Sequence, residues 1–273
     1  MALNIAKLTS RLQQYETGQK GVEFAKLLWK PKEGQTTIRI VPYRPNGVEQ
    51  DTPFMELKFY YGLGGGNHLA PSTYGKADPV QEIIEKLRSS GIQEEKAIAD
   101  QLNASLRTYV PVIVRGEESQ GVRFWGFGTT VHKQLLELMT NAKWGDITSL
   151  VEGNDLDVKF VKEGKKKNAQ GKAFPETSIT PDPRKTPVCA PSDKVLLEKV
   201  KNQTDINKVF PLKSYDELNA IVQKWLNPEA EGQEPAADVA SAAAAAADAP
   251  SSVASPVSTE QVEDDFTKFF AKP

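Results

Sequence analysis

The spacing of apolar residues along the first 226 positions switches repeatedly between a period of two and a period of three to four, and each switch marks a predicted element. Residues 2–17 set Ile5, Leu8, Leu12 and Tyr15 on one helical face, with Gly18 as a stop. From Trp29 the pattern is that of strands: a turn over Pro31 to Gln35, a strand from Thr36 to Val41, a loop over 42–51, and a strand from Phe54 to Tyr61 with Lys58 and Tyr60 on one face. Asp78-Pro79-Val80-Gln81 has the cap and first-turn proline of a helix. Val80, Ile83, Ile84 and Leu87 give that helix an apolar face, and Gly91 ends it. A second helix is predicted from about Gln93 to Ala104. Next come a strand from Tyr109 to Arg115, a turn from Gly116 to Gly121, a strand from Val122 to Phe127, and a helix from Thr130 with Val131, Leu135, Leu138 and Met139 inward. Leu156 to Lys162 alternates as a strand, 164–172 is a loop, and a strand follows around Phe174 to Thr180. Pro181 to Pro191 reads as irregular. Ser192 is a candidate cap for a helix bearing Val195, Leu196 and Val200, and Ser214 with Glu217 forms a capping box for one bearing Leu218, Ile221, Val222 and Trp225.

The hairpin from Arg107 to Phe127 carries the first suggestion of chemistry. Alternation puts Arg107, Tyr109, Ile113 and Arg115 on one face of its first strand and Val110, Val112 and Val114 on the other. In the second strand Arg123, Trp125 and Phe127 share a side. The expectation is a valine-backed hairpin with one core face and one open face, the open face presenting Tyr109, Trp125, Phe127 and three arginines. Such a face suits stacked bases and bound phosphates. The same residue types also form ordinary packed strands, so the hairpin alone leaves both readings open.

Charge becomes informative once the chain is divided. The net charge is −2 over 273 residues, but beyond Leu226 nine acids stand against Lys268 and Lys272, leaving a tail of −7 on a body of +5. The end of the strand at Lys162 and the loop after it are densely basic: Lys159, Lys162, Lys165, Lys166, Lys167 and Lys172 are six lysines in fourteen residues. One cysteine, Cys189, and two histidines, His68 and His132, exclude a disulfide framework and a multi-cysteine zinc cluster, so no cofactor or metal is expected. The glycines at 62 and 64–66 lack the Gly-Lys-Ser/Thr of a phosphate loop and read as a flexible hairpin tip. No stretch approaches a membrane span and no signal peptide is evident, which points to a cytoplasmic protein without a membrane partner. No P-loop, zinc set or telling pair of acids suggests an enzyme.

The ends of the chain have their own character. The first helix is either packed on the body or free to swing as an arm about Gly18 and Gly21. Residues 227–257 are rich in Ala, Pro, Ser, Glu and Asp and read as a disordered or transiently helical linker. In 258–273, Phe266, Phe269 and Phe270 stand beside Glu263, Asp264 and Asp265, the composition of a segment that folds on a partner.

Several stretches resemble the single-stranded DNA-binding (helix-destabilising) proteins of T-even-type tailed phages. Arg107-Thr108-Tyr109-Val110-Pro111-Val112-Ile113-Val114 and Gly121-Val122-Arg123-Phe124-Trp125-Gly126-Phe127-Gly128 look like that family's central hairpin. Lys213-Ser214-Tyr215-Asp216-Glu217-Leu218-Asn219 and Glu263-Asp264-Asp265-Phe266 are similar to its last core helix and tail, and Lys7-Leu8-Thr9-Ser10-Arg11 more loosely to its cooperativity arm. The resemblance implies a mixed β/α fold with an oligonucleotide-binding (OB) five-stranded barrel core over 21–226, an inserted helical subdomain at about 62–106, an N-terminal arm over 1–20 and an acidic C-terminal tail. It also implies base stacking on Tyr109, Trp125 and Phe174. The family's zinc subdomain uses one His and three Cys, positions that fall here on Tyr61, Ala70, Asp78 and Gln81, a set that cannot form the site.

The expected function is therefore sequence-non-specific, cooperative coating of single-stranded DNA in phage replication, recombination and repair, in the cytoplasm of the infected bacterial host. Tyr109, Trp125, Phe174, Tyr60 and Phe127 are the expected stacking residues. Arg39, Lys58, Arg107, Arg115, Arg123, Lys159, Lys162, Lys165, Lys166, Lys167 and Lys172 are the expected phosphate contacts. Lys7, Thr9, Ser10 and Arg11 would bind a neighbouring copy along the DNA; Glu263, Asp264, Asp265, Phe266, Phe269 and Phe270 would recruit replication and recombination proteins. The alternatives are an RNA-binding OB protein and a structural or scaffolding phage protein.

Overall fold

A computed structural model describes residues 26–166, 171 and 173–227. The N-terminal arm, the linker, the acidic tail and two of the loop lysines, Lys167 and Lys172, lie outside the described residues.

The fold is mixed α/β around a mostly antiparallel sheet. In chain order the strands are β1 (Leu28–Trp29), β2 (Gly34–Ile40), β3 (Met55–Leu63), β4 (Gly66–Leu69), β5 (Ser105–Val114), β6 (Arg123–Phe127), β7 (Gly153–Val161) and β8 (Glu176–Thr186). The helices are α1 (Pro79–Ser89) and α2 (Gln93–Gln101) before β5, α3 (Thr129–Met139) between β6 and β7, and α4 (Lys194–Lys201) and α5 (Tyr215–Leu226) after β8. The main path through the sheet is β1-β6-β5-β2-β7-β8, with β3 attached to β5 and β4 to β3. Among the described strands only β1 and β6 pair in parallel, and an isolated parallel bridge joins Pro45 to Gln203. Strand β5 is shared: its first half pairs with β3, Met55 opposite Tyr109, and its second half with β2, Ile40 opposite Val112.

Two apolar cores lie on opposite sides of the β5–β6 hairpin. On one side Ile38, Ile40, Val110, Val112, Trp125, Phe127, Leu156 and Val158 close on Val131 and Leu135 of α3. On the other, Tyr109 and Phe124 pack with Leu57, Phe59, Val209 and Phe210, while Ile113 packs with Val188, Leu196 and Val200. A third core joins α1, α2 and α5 to the β3–β4 hairpin through Tyr60, Val80, Ile84, Ala99, Leu218 and Val222.

Most predicted elements form with small shifts, for local reasons. Asp78 caps α1 with Pro79 at its first position, and the Ser214–Glu217 capping box opens α5. Asp193, rather than Ser192, caps α4. The segment expected to be irregular from Pro181 is instead the second half of β8. Pro181 and Pro183 are tolerated there because β8 ends the sheet's path, so a missing N–H breaks no ladder bond, and a register shift opposite Asn154 and Leu156 absorbs the change. The glycine tip at 62–65 is closed by α5, since a Cβ on Gly64 would sit 2.8 Å from Ile221 Cγ2. Among the described residues, no helix is long and apolar enough to cross a membrane.

Candidate nucleic-acid interface

The aromatic face expected on the hairpin does not exist. Cross-strand partners share a face, and the register sets Val110 opposite Trp125, Val112 opposite Arg123, and Tyr109 opposite Gly126. Trp125 and Phe127 therefore lie with the valines, and Tyr109 lies on the other side. Both sides are core: Trp125 is 2% exposed and Tyr109 3%. Trp125 meets Trp29 and Phe127 edge to face at 5.6 and 4.8 Å between ring centroids. Tyr109 packs on Phe210 at 5.2 Å and lies across Gly126, where a Cβ would come within 2.5 Å of its ring. Tyr60, also buried, points into the α1–α2–α5 core. Of the five expected stacking residues only Phe174 keeps part of its surface in solvent.

The arginines are equally committed. Arg39, fully buried, donates Nε to Asp155 Oδ1 at 2.8 Å and Nη2 to the Thr186 carbonyl at 2.9 Å. Arg115 grips the same carboxylate with Nε at 3.0 Å and Nη2 at 2.8 Å, and its Nη1 reaches the Val188 carbonyl at 2.7 Å. Burial lowers the Arg39 pKa, with Asp155 opposing that shift. Arg123 bonds Glu117 at 2.6 Å and Gln120 at 3.0 Å inside the hairpin turn, and buried Arg107 faces the Tyr61 hydroxyl at 3.4 Å. Alternation correctly separates two faces of a strand, but it cannot tell a strand open on one side from one covered on both, because the covering segment, 188–212, arrives from far along the chain.

Of the expected phosphate contacts, it is lysines that remain open to solvent, with exposed Glu33, Glu163 and Glu176 among them. Lys159, Lys162, Lys165 and Lys166 are all exposed at the end of β7 and the start of the loop to β8. Lys159 stands opposite Ser178 on one side and Gln35 on the other, a polar outer face. The loop is tied across its neck: Gly164 N–H donates to the Phe174 carbonyl and Phe174 N–H to the Lys166 carbonyl, both at 2.8 Å, and Lys165 N–H reaches Glu176 Oε2 at 3.3 Å. These bonds hold the Phe174 backbone beside those of Gly164 and Lys166. No residue other than glycine fits at 164, where a Cβ would lie 2.6 Å from the Phe174 oxygen. Because β2 begins beside the end of β7, with Gly34 opposite Phe160, the chain entering β2 joins this rim. Lys162 Nζ lies 3.6 Å from Glu33, and exposed Lys32 precedes it. Sequence reasoning missed Lys32, since only the non-local pairing of β2 with β7 brings it there. Lys58 is exposed on β3, away from this rim, with its backbone fixed by Ala70 N–H and Thr73 Oγ1.

The zinc ligand positions implied by the resemblance do not fit a metal. Ala70 has no donor atom, the Tyr61 hydroxyl faces Arg107, and the Asp78 carboxylate is taken up by protein donors. Among the described residues no three His, Cys, Asp or Glu side chains converge as a metal site. The chain matches no protein-family model and no curated protein.

Proposed function

We propose that the protein coats single-stranded DNA without reading its sequence, and that it does so along the basic rim at the β7–β8 loop rather than on the aromatic hairpin. One observation carries this reading: the exposed lysine loop connects the last two of five strands whose order is β6-β5-β2-β7-β8, with α3 between β6 and β7. Numbered along the chain, β2, β5, β6, β7 and β8 run in the order three-two-one-four-five. An OB barrel has that order, and the loop between its fourth and fifth strands is one of the two that grip oligonucleotides. In this reading the inserted subdomain, expected at about 62–106, is the stretch with β4, α1 and α2 that precedes β5.

In this reading Lys32, Lys159, Lys162, Lys165 and Lys166 neutralise phosphates and Phe174 offers a stacking face, a contact worth about 1–3 kcal/mol per base whatever its identity. The phage resemblance supplies the setting of replication and recombination, the cooperative arm and the partner-recruiting tail.

The test is titration of labelled oligo(dT) against the full chain and a variant with Lys159, Lys162, Lys165 and Lys166 all changed to Ala. At about 0.7 per phosphate contact, the slope of log K against log salt should flatten by roughly 2.8. Unchanged affinity would remove the rim from the site. Stronger competition by poly(U) than by poly(dT) would turn the reading towards RNA.

A further inference from the structure

The β3–β4 hairpin, the turn at 71–74 and α1 meet on one carboxylate. Asp78 is 4% exposed and accepts four hydrogen bonds. Its Oδ1 takes the N–H groups of Val80 at 3.2 Å and Gln81 at 3.4 Å, the ordinary work of a helix cap. Its Oδ2 does something a cap does not require: it takes the Tyr60 hydroxyl at 2.9 Å and the Ser72 N–H at 3.1 Å, from β3 and from the turn. Tyr60 is itself 1% exposed, and burial followed by the nearby Asp78 charge holds its phenol well above the ordinary range, so it remains a donor. The turn passes the constraint on, since Ala70 N–H bonds the Lys58 carbonyl at 2.8 Å and Thr73 Oγ1 accepts the Lys58 N–H at 3.1 Å.

We infer that this carboxylate clasp organises the lobe formed by the β3–β4 hairpin, the turn at 71–74, α1 and α2 in place of the metal used by the family the sequence resembles, and that this lobe folds without a bound metal ion. The chain has a single cysteine, Cys189, and it stands outside the lobe. Every acceptor position on Asp78 that could face a cation is already filled by a donor from the protein, and a buried carboxylate satisfied in this way leaves no donor short of a partner. The inference is independent of nucleic-acid binding.

The experiment uses the full chain. Metal content is measured by mass spectrometry, and thermal melting and limited proteolysis are followed with and without EDTA. Substoichiometric metal and an unchanged Tm in EDTA are expected. Asp78→Ala, which leaves four donors without an acceptor, should lower Tm by roughly 10 °C and open cleavage sites within 62–104. Asp78→Asn keeps an oxygen for the cap but sets an amide where Tyr60 and Ser72 both donate, so it should fall between, and Tyr60→Phe should cost least. A stoichiometric bound metal, a melt lowered by chelator, or an Asp78→Ala protein that melts like its parent would overturn the inference.

Discussion

Asp155 receives two arginines, and the difference between a phosphate contact and a structural clamp lies in that fact. Residue type and strand face make Arg39 and Arg115 expected phosphate contacts, yet both guanidinium groups bond the same carboxylate, and Arg39 also bonds the Thr186 carbonyl and Arg115 those of Pro187 and Val188, fastening the end of β8 to β2 and β5. Removing the shared carboxylate costs more than the pairs contribute, because fully buried Arg39 and part-buried Arg115 are left as neighbouring like charges without it. Asp155→Ala should therefore lower unfolding free energy by about 3–5 kcal/mol in urea titration. Trp125→Ala belongs to the same scale. It empties a site between Trp29 and Phe127 and should cost about 3–5 kcal/mol, so that lost DNA binding in this variant would follow lost fold. Circular dichroism melts of both variants, beside the quadruple lysine variant that should melt like its parent, separate structural residues from contact residues.

At the scale of elements, the part of the fold written in local signals was legible. Caps at Asp78 and Ser214, the turn at 116–121 and the alternation of β2, β5 and β7 all translate directly into structure, because each depends on neighbours within a few residues. Of the site expected from the sequence, only the lysines near the β7–β8 loop keep the exposure that the expectation needs. Lys159, Lys162, Lys165 and Lys166 survive as exposed charge, whereas the aromatic positions fail because exposure is decided by segments that return from a distance: Phe210 onto Tyr109 and Trp29 onto Trp125. Proline signals misled for a related reason, since an edge strand accepts what an inner one rejects. The β7–β8 loop depends on its neck, so Gly164→Val should separate loop geometry from loop charge. The variant keeps every lysine but cannot keep the Gly164–Phe174 contact. Oligo(dT) affinity should fall while the salt slope, which counts cations, changes little and the melt stays near that of the parent. A variant that binds as tightly as its parent would mean that the lysines act as a diffuse charge rather than as a shaped site.

For the whole molecule the decisive quantity is the division of charge. A body of +5 carries a segment after Leu226 of −7, and the two must attract when no polyanion occupies the rim. If the rim binds DNA as proposed, the acidic segment competes with DNA for the same lysines, and the competitor travels with the protein. Screening sets how strongly: the Debye length is about 30 Å at 0.01 M salt and about 8 Å at 0.15 M, so the acidic segment acts on the rim most at low ionic strength. Truncation after Leu226 should accordingly tighten oligo(dT) binding most in dilute buffer, with the two titration curves converging as salt rises. Neutralising Glu263, Asp264 and Asp265 together should give part of the gain, while changing Phe266, Phe269 and Phe270 to Ala should give little, because the competition is one of charge. A truncated chain that binds no more tightly than the full chain at any salt concentration would leave the acidic segment a role with other proteins only.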